Sequence, residues 1–550
     1  MKAKFVLILL LIVFSLGLSA RLYHLKEHGI LIPDEVNGYY FPALSVAFIE
    51  NSRAITFYPL HTLLLGWTIR LFGEKDINKA YYYALLYPVF LSSLTIIIVF
   101  FIGKALFHAR LGLFAAASLA LMEYHIFYGK TIMAESSSVF FGSLAYLFIC
   151  LFYRTRSDSK RHNIISSYAF LIFGAMSLGL GLMAKAPTIF FIIPIILFIF
   201  LLGWDSTISF KEFPLALGLF LAFIYLTVLG FHKFIISLNL LTEEVFKSNV
   251  QGGLMLFSKL GWNPSNTIIP FLLILWNQAS IICLVFIFLG IINSLRNRSM
   301  NYISILFSIP AIILAFCFWL HITPARYHVS IIPFIALLSA LGADYLYELF
   351  RNWFYKHSKV MLVLRLERGI IVFIILIIAI SGFINARETI ALTTGYAKAA
   401  QLLLEDNFNK GLGLDNLSLR IFTAPGTIDH HQTQWYGQGE IKELDLLDAS
   451  GSVDAFLKTV PDLINKGFTH LVFDFCYAGW VGPGGSYMPN VQALTQRYLP
   501  TFIVPNPGGA YRFTLAENSS SYSYVLSLLD DPIIQNIYIY RLKDLPGNNK

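Results

Sequence analysis

Apolar residues run in long stretches along most of the chain, and polar residues collect between those stretches. A helix needs about 20 apolar residues to cross a bilayer. Eleven stretches come near that length: residues 5–21, 81–103, 111–128, 136–153, 164–183, 187–203, 213–235, 268–292, 302–320, 329–349 and 369–386. The pattern predicts an α-helical polytopic membrane protein with about 11 transmembrane helices, whose two ends lie on opposite sides of the membrane.

The first stretch, MKAKFVLILLLIVFSLGLSA, has two interpretations. A basic start, an apolar middle and small residues at the end are typical of a signal peptide. We favour a retained first span, because so many spans follow that insertion needs no cleavage. Both interpretations place residue 21 onward outside the cytoplasm.

Two of the predicted outer segments are long, residues 22–80 and 236–267. In the first, YPLHTLLLGWTIRLFG (58–73) repeats apolar residues at helical spacing. The repeating residues are Leu60, Leu63, Leu64, Trp67 and Leu71. This spacing predicts an interfacial helix that lies along the membrane surface. The second outer segment has no clear periodicity.

After residue 386 the composition becomes that of a soluble domain. ALTTGYAKAAQLLLED, SVDAFLKTV and NVQALTQRYL have helical patterns, whereas LSLRIF, THLVFDF and NIYIYRL are typical of strands. Alternating helices and strands predict a small α/β domain. We therefore divide the chain into a transmembrane domain at 1–386 and an extracytoplasmic α/β domain at 387–550.

The composition supports the membrane assignment. The chain has 550 residues, of which 57% are hydrophobic and only 13% charged, whereas a soluble chain carries about 25% charged residues. The net charge of +8 does not require nucleic acid as a partner, since inward-facing loops of membrane proteins collect Lys and Arg. The four cysteines have neither a disulfide nor a zinc spacing.

The distribution of Lys and Arg predicts the orientation. With the N-terminus in the cytoplasm, the three short outer loops hold one cation each, Lys130, Lys185 and Arg326. The inner segments hold sixteen: Lys2, Lys4, Lys104, Arg110, Arg154, Arg156, Lys160, Arg161, Lys211, Arg296, Arg298, Arg351, Lys356, Lys359, Arg365 and Arg368. Because positive residues concentrate on the cytoplasmic side, the N-terminus is predicted inside and the C-terminal domain outside.

Three acidic residues lie at the predicted outer surface. Asp34 and Glu35, in LIPDEVNGYY, follow the first span, and Glu135, in YGKTIMAESSS, lies at the top of the fourth. Asp34 and Glu35 taken alone suit two solvated loop acids. An acid as close to hydrocarbon as Glu135 indicates a functional site, although a surface pair with Lys130 would also explain it.

Two isolated cations lie at the same outer level. Lys185, in GLGLMAKAPTIFF, suits either a functional site or a side chain that reaches the interface. Arg326, in LHITPARYHVSIIP, suits either a functional site or an ordinary helix-end residue. Together the acids and cations suit group transfer from a lipid phosphate: the cations bind the phosphate, and a carboxylate accepts a proton or holds a divalent ion.

No glycine-rich loop of the nucleotide-binding kind occurs at a strand–helix junction, so a lipid-linked sugar is a more fitting donor than a nucleotide sugar. GLGL, at 179–182, suits close helix packing within a span. In the C-terminal domain, Asp429, His430 and His431 are interpreted as solvated loop residues rather than a metal site. The aromatic residues there suit packing, or alternatively a face that binds the acceptor: Trp435, Tyr436, Trp480 and Tyr487.

The chain resembles the GT-C glycosyltransferases, near the protein O-mannosyltransferases and the lipid A aminoarabinose transferases. The resemblance rests on five segments in order: SARLYHLKEHGILIPDEVNGYYFPA, YPLHTLLLGWTIRLFG, YGKTIMAESSSVFF, GLGLMAKAPTIFF and PARYHVSIIPFIALLSA. They cover most of residues 20–345. The resemblance implies a GT-C fold, a donor sugar on a polyprenyl phosphate, and transfer on the extracytoplasmic side.

The same resemblance implies roles for individual residues. Asp34 matches the key acid of the first outer loop, Glu135 a second acidic position, and Lys185 and Arg326 cations near the donor phosphate. The chain departs from the aminoarabinose transferases in the surface helix, where they carry a Lys before paired prolines and this chain has FYPLH. His61 is predicted either to replace that Lys as a phosphate ligand or to be an ordinary interfacial residue.

The sequence therefore predicts a membrane glycosyltransferase that moves a sugar from a polyprenyl-phosphate donor to a glycolipid, polysaccharide or protein acceptor. Asp34 is the predicted base or metal ligand, with Glu35 or Glu135 assisting, and the resemblance implies that the single displacement inverts the anomeric carbon. The use of a divalent metal ion is left open, with Asp34 and Glu135 as its possible ligands. A bacterial plasma membrane is expected. The alternatives are a transporter or flippase of lipid-linked sugars and a non-catalytic sensor, although the spans lack the midplane charges and matching halves of a transporter.

Overall fold

The computed structural model describes most of the helical part of the chain and shorter segments of the C-terminal part. The described residues are 3–26, 39–48, 58–73, 77–157, 164–204, 212–238, 267–268, 271–272, 275–276, 279–297, 299–319, 325–357, 360–393, 395, 398–399, 402–403, 405–406, 419–423, 439–443, 453–474, 494–506 and 536–546. The chain forms two compact units. The first, which is helical, comprises Met1–Tyr23, Tyr39–Gly73 and Tyr83–Ala391. The second comprises His24–Gly38, Glu74–Tyr82 and Leu392–Lys550.

Fourteen α-helices of the described chain lie before Leu392. They are α1 Ala3–Leu22, α2 Phe41–Phe48, α3 Pro59–Phe72, α4 Ile77–Leu106, α5 Ala109–Ala120, α6 Glu123–Gly129, α7 Glu135–Ser157, α8 Ile164–Ala184, α9 Ile192–Trp204, α10 Glu212–Ser237, α11 Ile281–Asn297, α12 Met300–Trp319, α13 Ile332–His357 and α14 Val360–Ile390. Two 3-10 segments, η1 (Ala186–Phe191) and η2 (Ala325–Ile331), precede α9 and α13.

Every predicted span coincides at least in part with a described helix. Within the described residues, eight helices are long and apolar enough to cross a membrane, or nine if the bent pair α5 and α6 forms one span. Two shorter apolar helices, Ala186–Leu201 and Ile281–Asn297, lie where the other two spans are predicted. The helical membrane fold is confirmed, whereas the count of eleven stays a prediction.

The centre of the helical unit is α5, ARLGLFAAASLA. Its residues from Leu111 to Ala120 are all buried, and it packs against α1, α13 and α14. Its small side chains allow backbones to approach closely on several sides. The predicted close packing of GLGL is also observed, because a Cβ at Gly179 would lie 2.8 Å from Cβ of Thr227 on α10.

The predicted span at 111–128 is not one straight helix. The chain bends by 64° between α5 and α6. Arg21 stabilises the end of α5, since its Nη1 donates to the Ala120 carbonyl at 3.0 Å. Glu123, which begins α6, accepts from Thr389 at 2.7 Å and from Asn385 at 2.9 Å, both on α14. These contacts with distant helices set the bend.

The C-terminal unit contains a five-stranded sheet of order β2-β1-β3-β5-β4. The strands are β1 Leu419–Thr423, β2 Gly439–Glu443, β3 His470–Asp474, β4 Phe502–Pro505 and β5 Asn536–Arg541, with the helix α15 at Val453–Asn465. β1, β2 and β3 are parallel, and β5 is antiparallel to β3 and β4. The predicted α/β character is confirmed. β2 and β4 were not predicted, because GEIKE is mostly charged and FIVP is short and ends in proline.

Candidate functional site

The candidate site is formed where four chain segments meet: the start of α3, the start of α7, the junction of α8 with η1, and η2. Each junction has a local cause. Pro59 occupies the first turn of α3, where a missing N–H costs no hydrogen bond. Pro187 lies in the first turn of η1, and Lys185, which precedes η1, has extended backbone angles, with φ −165° and ψ 128°. The helix α8 therefore ends just before Lys185.

Glu135 and Lys185 form a buried ion pair. Glu135 is the first residue of α7, and Lys185 is the residue that precedes η1. Their side chains are 0% and 3% exposed, and Lys185 Nζ donates directly to Glu135 Oε1. The N-terminus of a helix also favours a carboxylate. Glu135 Oε2 is buried and has no hydrogen-bond partner among the described residues.

Two tyrosine rings lie beside the Lys185 ammonium. The centroids of the Tyr58 and Tyr327 rings are each 5.8 Å from Lys185 Nζ, within cation–π range. Tyr58 has left-handed backbone angles, with φ 49° and ψ 65°, a conformation that is rare for such a residue. Its ring stacks on Tyr39, with centroids 5.8 Å apart.

Arg326, in η2, belongs to the same cluster. Its Cζ lies 5.9 Å from the centroid of the Tyr327 ring, the ring that Lys185 also approaches. The structure therefore brings together Glu135, Lys185 and Arg326, three of the six predicted site residues, from three separate segments.

His61 is also in this region, but both of its ring nitrogens already have hydrogen-bond partners. Nε2 lies 2.6 Å from the Ile132 carbonyl oxygen and Nδ1 lies 2.8 Å from Ser137 Oγ. A carbonyl only accepts, so Nε2 carries the proton, and the neutral ring accepts the Ser137 hydroxyl at Nδ1. Burial lowers the His61 pKa to about 3; the hydrogen bond to the Ile132 carbonyl partly offsets this effect, and the nearby Lys185 charge adds to it. No N–H of His61 is left for a phosphate, which argues against the predicted phosphate contact.

Three serines fasten the first turn of α7 to its surroundings. Ser136 donates to the Tyr128 carbonyl at 2.7 Å, Ser137 contacts His61 and also Tyr87 Oη at 3.0 Å, and Ser138 accepts from Thr188 at 2.9 Å. The segment that carries Glu135 is thus held from three sides.

The surface pair of Glu135 with Lys130 that the sequence also allowed does not form. Lys130 is buried, and its Nζ donates to the carbonyls of Tyr23 at 3.0 Å and Ile390 at 2.8 Å. These carbonyls lie just beyond α1 and at the last residue of α14. The ammonium is therefore well placed to satisfy helix C-termini.

Sequence reasoning missed a second buried polar cluster. Arg21 is 0% exposed and bonds Ser92 Oγ at 3.0 Å and His125 Nδ1 at 2.7 Å, close to Glu123 in the chain. A signal was present, because Glu123 and His125 lie inside a predicted span, and an ionisable residue there indicates a site or a break. Arg21 carried no such signal, since a cation at the end of a span is common.

Several predicted residues lie outside the described part of the chain. These are Asp34 and Glu35 of the first outer loop, and Asp429, His430, His431, Trp435, Tyr436, Trp480 and Tyr487 of the C-terminal domain.

The described residues offer no metal site. No group of three or more His, Cys, Asp or Glu side chains among them could hold an ion. Glu135, one of the two carboxylates predicted for a metal, is paired with an ammonium instead.

Comparison with known proteins gives one family match and a shared fold. The family described as dolichyl-phosphate-mannose-protein mannosyltransferase matches residues 59–231, which include His61, Glu135 and Lys185. No curated protein sequence matches the chain.

The solved structures with a similar fold include two proteins captured with a lipid phosphate. ArnT from Cupriavidus metallidurans bound to undecaprenyl phosphate is 12% identical, with a TM-score of 0.55 over 88% of this chain and 95% of that one. AglB from Archaeoglobus fulgidus, an oligosaccharyltransferase in complex with an inhibitory peptide and dolichol phosphate, is 12% identical, with a TM-score of 0.52 over 100% of this chain and 78% of that one.

A third structure, the A. fulgidus oligosaccharyltransferase in complex with Zn and sulfate, is 14% identical, with a TM-score of 0.53 over 85% of this chain and 68% of that one. The family match over residues 59–231 and the shared fold support the class of GT-C membrane glycosyltransferases. The class predicted from the sequence, and its integral membrane location, are confirmed.

Proposed function

We propose that the chain transfers a sugar from a polyprenyl-phosphate donor to a hydroxyl of a glycolipid, polysaccharide or protein on the extracytoplasmic face of the membrane. The observation that carries the proposal is the cluster of Lys185 and Arg326 around the Tyr327 ring. Two cations that come from separate segments and meet at one point can bind the negatively charged phosphate of a lipid. ArnT and AglB, which share the fold, are the proteins captured with such lipid phosphates.

Lys185 and Arg326 are assigned to the donor phosphate. In the ground state they bind it, and as the bond to the sugar breaks they stabilise the negative charge that grows on the departing polyprenyl phosphate. Arg326 offers a planar fork for two phosphate oxygens, and Lys185 a compact charge. Because the phosphate is a fair leaving group, no covalent enzyme intermediate is needed.

Asp34 is assigned as the general base, with Glu35 beside it. The acceptor oxygen attacks the anomeric carbon, its proton passes to Asp34, and the bond between that carbon and the phosphate oxygen breaks. A single displacement of this kind inverts the anomeric centre. Glu135 assists indirectly, since it binds the Lys185 ammonium and so orients it. No step is assigned to a metal ion.

The membrane is proposed to be a bacterial plasma membrane, with the N-terminus in the cytoplasm. The uneven distribution of Lys and Arg supports this orientation. The site then opens to the outer leaflet, where a lipid-linked donor is available.

Native mass spectrometry of the purified protein, released gently from detergent, tests the donor. A bound mass equal to a polyprenyl phosphate, with or without one sugar, is expected, and it should fade in Lys185→Ala and Arg326→Ala. Lys104→Ala is the matched control, because Lys104 is exposed on α4 and outside the cluster. Only ordinary phospholipids, or an adduct indifferent to both changes, would refute the phosphate site. Asp34→Asn should abolish transfer without releasing the lipid.

A further inference from the structure

His61 is buried where the first turn of α3 meets the residues on either side of Glu135. It lies in the first turn of α3, two residues after Pro59 and three after Tyr58, whose ring lies beside Lys185. Its Nε2 reaches Ile132, three residues before Glu135, and its Nδ1 reaches Ser137, two residues after it. The Glu135 backbone is thus held on both sides by one imidazole.

The hydrogen bonds of this group have one consistent direction. The Ile132 carbonyl requires a proton on Nε2, so the Ser137 hydroxyl donates to Nδ1, and the Tyr87 hydroxyl donates to Ser137 Oγ. The aromatic surroundings fix the ring plane, with the Tyr39 and Tyr87 centroids each 5.3 Å from the His61 centroid. An imidazole so enclosed has one orientation.

We propose that His61 is a positioning residue, which ties the first turn of α3 to both sides of Glu135 and thereby holds the Glu135–Lys185 pair in place. The proposal deepens the proposed function, on which its catalytic meaning rests. His61 does not touch the donor, because both ring nitrogens are occupied. It acts by fixing where the ammonium of Lys185 meets the phosphate, and a small displacement of such a group lowers a transfer rate strongly.

Chemical labelling of lysines tests the positioning directly and needs no catalytic activity. The full-length protein in detergent is treated with formaldehyde and a borane reductant, and the methylation of each lysine is followed by peptide mass spectrometry. In the wild type, Lys185 and Lys130 are both buried and should react slowly. His61→Ala removes the hydrogen bonds to both Ile132 and Ser137, so Lys185 should react at least about fivefold faster, the factor expected for a single lost hydrogen bond. Lys130, on its separate contacts, should not change.

Two further variants keep the test decisive. In His61→Gln, the amide can donate to Ile132 and accept from Ser137, so Lys185 should stay protected. Ser137→Ala removes one link with a minimal change of volume, and it should raise the labelling of Lys185 even if His61→Ala fails to fold. Unchanged Lys185 labelling in both His61→Ala and Ser137→Ala, or an equal rise at Lys130, would overturn the proposal.

Kinetics then separate positioning from phosphate binding. With a polyprenyl-phosphate sugar as donor, His61→Ala should lower kcat at least about tenfold with little change in KM, and His61→Gln should restore more than half of the rate. A rise in KM for the donor that His61→Gln does not relieve would instead make His61 a ligand and overturn the proposal. A wild-type protein that transfers no sugar would refute the proposed function but leave the labelling result in force.

Discussion

Glu135 and Lys185 show what a charged pair requires once water is excluded. Each side chain is almost completely buried, and each neutralises the other. Removing one partner from a buried pair leaves an uncompensated charge, which costs far more than the net free energy that the pair contributes. At this scale the pair is therefore a constraint on the fold as well as part of the proposed site.

The first prediction follows from this constraint. Lys185→Met should lower the free energy of unfolding by about 3–5 kcal/mol, the cost of a broken buried pair. Glu135→Gln added to Lys185→Met should recover most of that loss but not the transfer activity, since the phosphate ligand is still absent. Thermal unfolding in detergent measures both, with Lys104→Met, an exposed site, as control. Equal stability of Lys185→Met and the wild type would contradict the buried pair.

The second prediction concerns acid stability and His61. Its pKa in the folded protein is about 3, against an ordinary value of 6.5. Between these values the unfolded chain binds a proton that the folded chain does not, so the free energy of unfolding falls as the pH drops through this window. From pH 7 to pH 5 the contribution of His61 is a loss of about 2 kcal/mol.

His61→Gln should therefore lose less stability than the wild type between pH 7 and pH 5. Unfolding midpoints of the two proteins, measured side by side at both pH values, give the difference, and the other titrating groups cancel in it. If the two proteins lose the same stability, the ring is not held neutral in the fold.

Residue types were predictable from the sequence, but their partners were not. Lys185 and Arg326 are lone cations between apolar runs of the sequence, and the fold brings both to the Tyr327 ring. The surroundings of His61 depend on Ile132 and Ser137, more than seventy residues away. No local pattern encodes such a contact, so a phosphate contact and a buried neutral ring were equally compatible with FYPLH.

At the scale of elements, the apolar pattern predicted the helices well but not their interruptions. The spans are long runs whose period and length are local properties. The bend between α5 and α6 contains neither Pro nor Gly, and it depends on Arg21 from α1 and on α14.

The apolar stripe of surface helix α3 is only partly buried. Leu60 and Leu63 of its apolar stripe are buried, whereas Trp67 and Leu71 are 48% and 81% exposed, which suits a helix with a lipid-facing side.

The third prediction concerns the crossing of α11 and α13. Gly290 and Gly342 lie where the two helices meet, and a Cβ at Gly342 would overlap the Phe286 carbonyl oxygen. Membrane helices approach this closely only through small residues. Gly342→Ala should force the helices apart and lower stability by about 1–3 kcal/mol.

The matched control is Gly218→Ala on α10, because no atom lies within 4 Å of its Cβ position. This variant should keep or slightly raise the unfolding temperature, since Ala favours helix more than Gly does. An equal response of the two variants would show that the crossing is not limited by the absence of a side chain at Gly342.

At the scale of the whole molecule, contacts sort the loops of the helical unit into two groups. Arg110 pairs with Asp344 and Glu348 at 2.6 Å, and Arg156 pairs with Glu212 at 2.6 Å. All of these residues lie at or beside the inner segments predicted from the cations. At the other group of loops, Lys130 joins the ends of α1 and α14, and Glu135 joins Lys185. These contacts are therefore consistent with loops that alternate between the two sides of the membrane, as eleven spans require.

The α/β character of the C-terminal unit could be predicted, but its order of strands could not. β1, β3 and β5 are apolar segments, and β3 and β5 supply much of the buried cluster. The pairing of β5 between β3 and β4 brings together residues far apart in the chain, and a charged strand such as β2 gives no period to detect. The buried His470, which contacts Asp406 at 2.9 Å, is a further long-range contact without a local signal.

The last prediction is the orientation, which the contacts leave undecided because they group loops without saying which group faces the cytoplasm. The excess of Lys and Arg on one group predicts that it is inside, so the unit that begins at Leu392 should lie outside. Full-length fusions expressed in a bacterial host test this. Alkaline phosphatase, which folds only outside, should be active after residue 550, and green fluorescent protein, which fluoresces only inside, should be dark there.

A second pair of fusions, placed after Trp204 at the end of α9, should give the opposite result, because that helix end is predicted inside. Since the second pair carries the reporters on a truncated chain, the full-length pair decides the question. Fluorescence after residue 550 would invert the orientation or remove one span. If the fusions after Trp204 were reversed as well, the whole orientation would be inverted. Lys185 and Arg326 could then no longer be assigned to a donor in the outer leaflet, and the proposed site would have to serve a lipid phosphate on the cytoplasmic face.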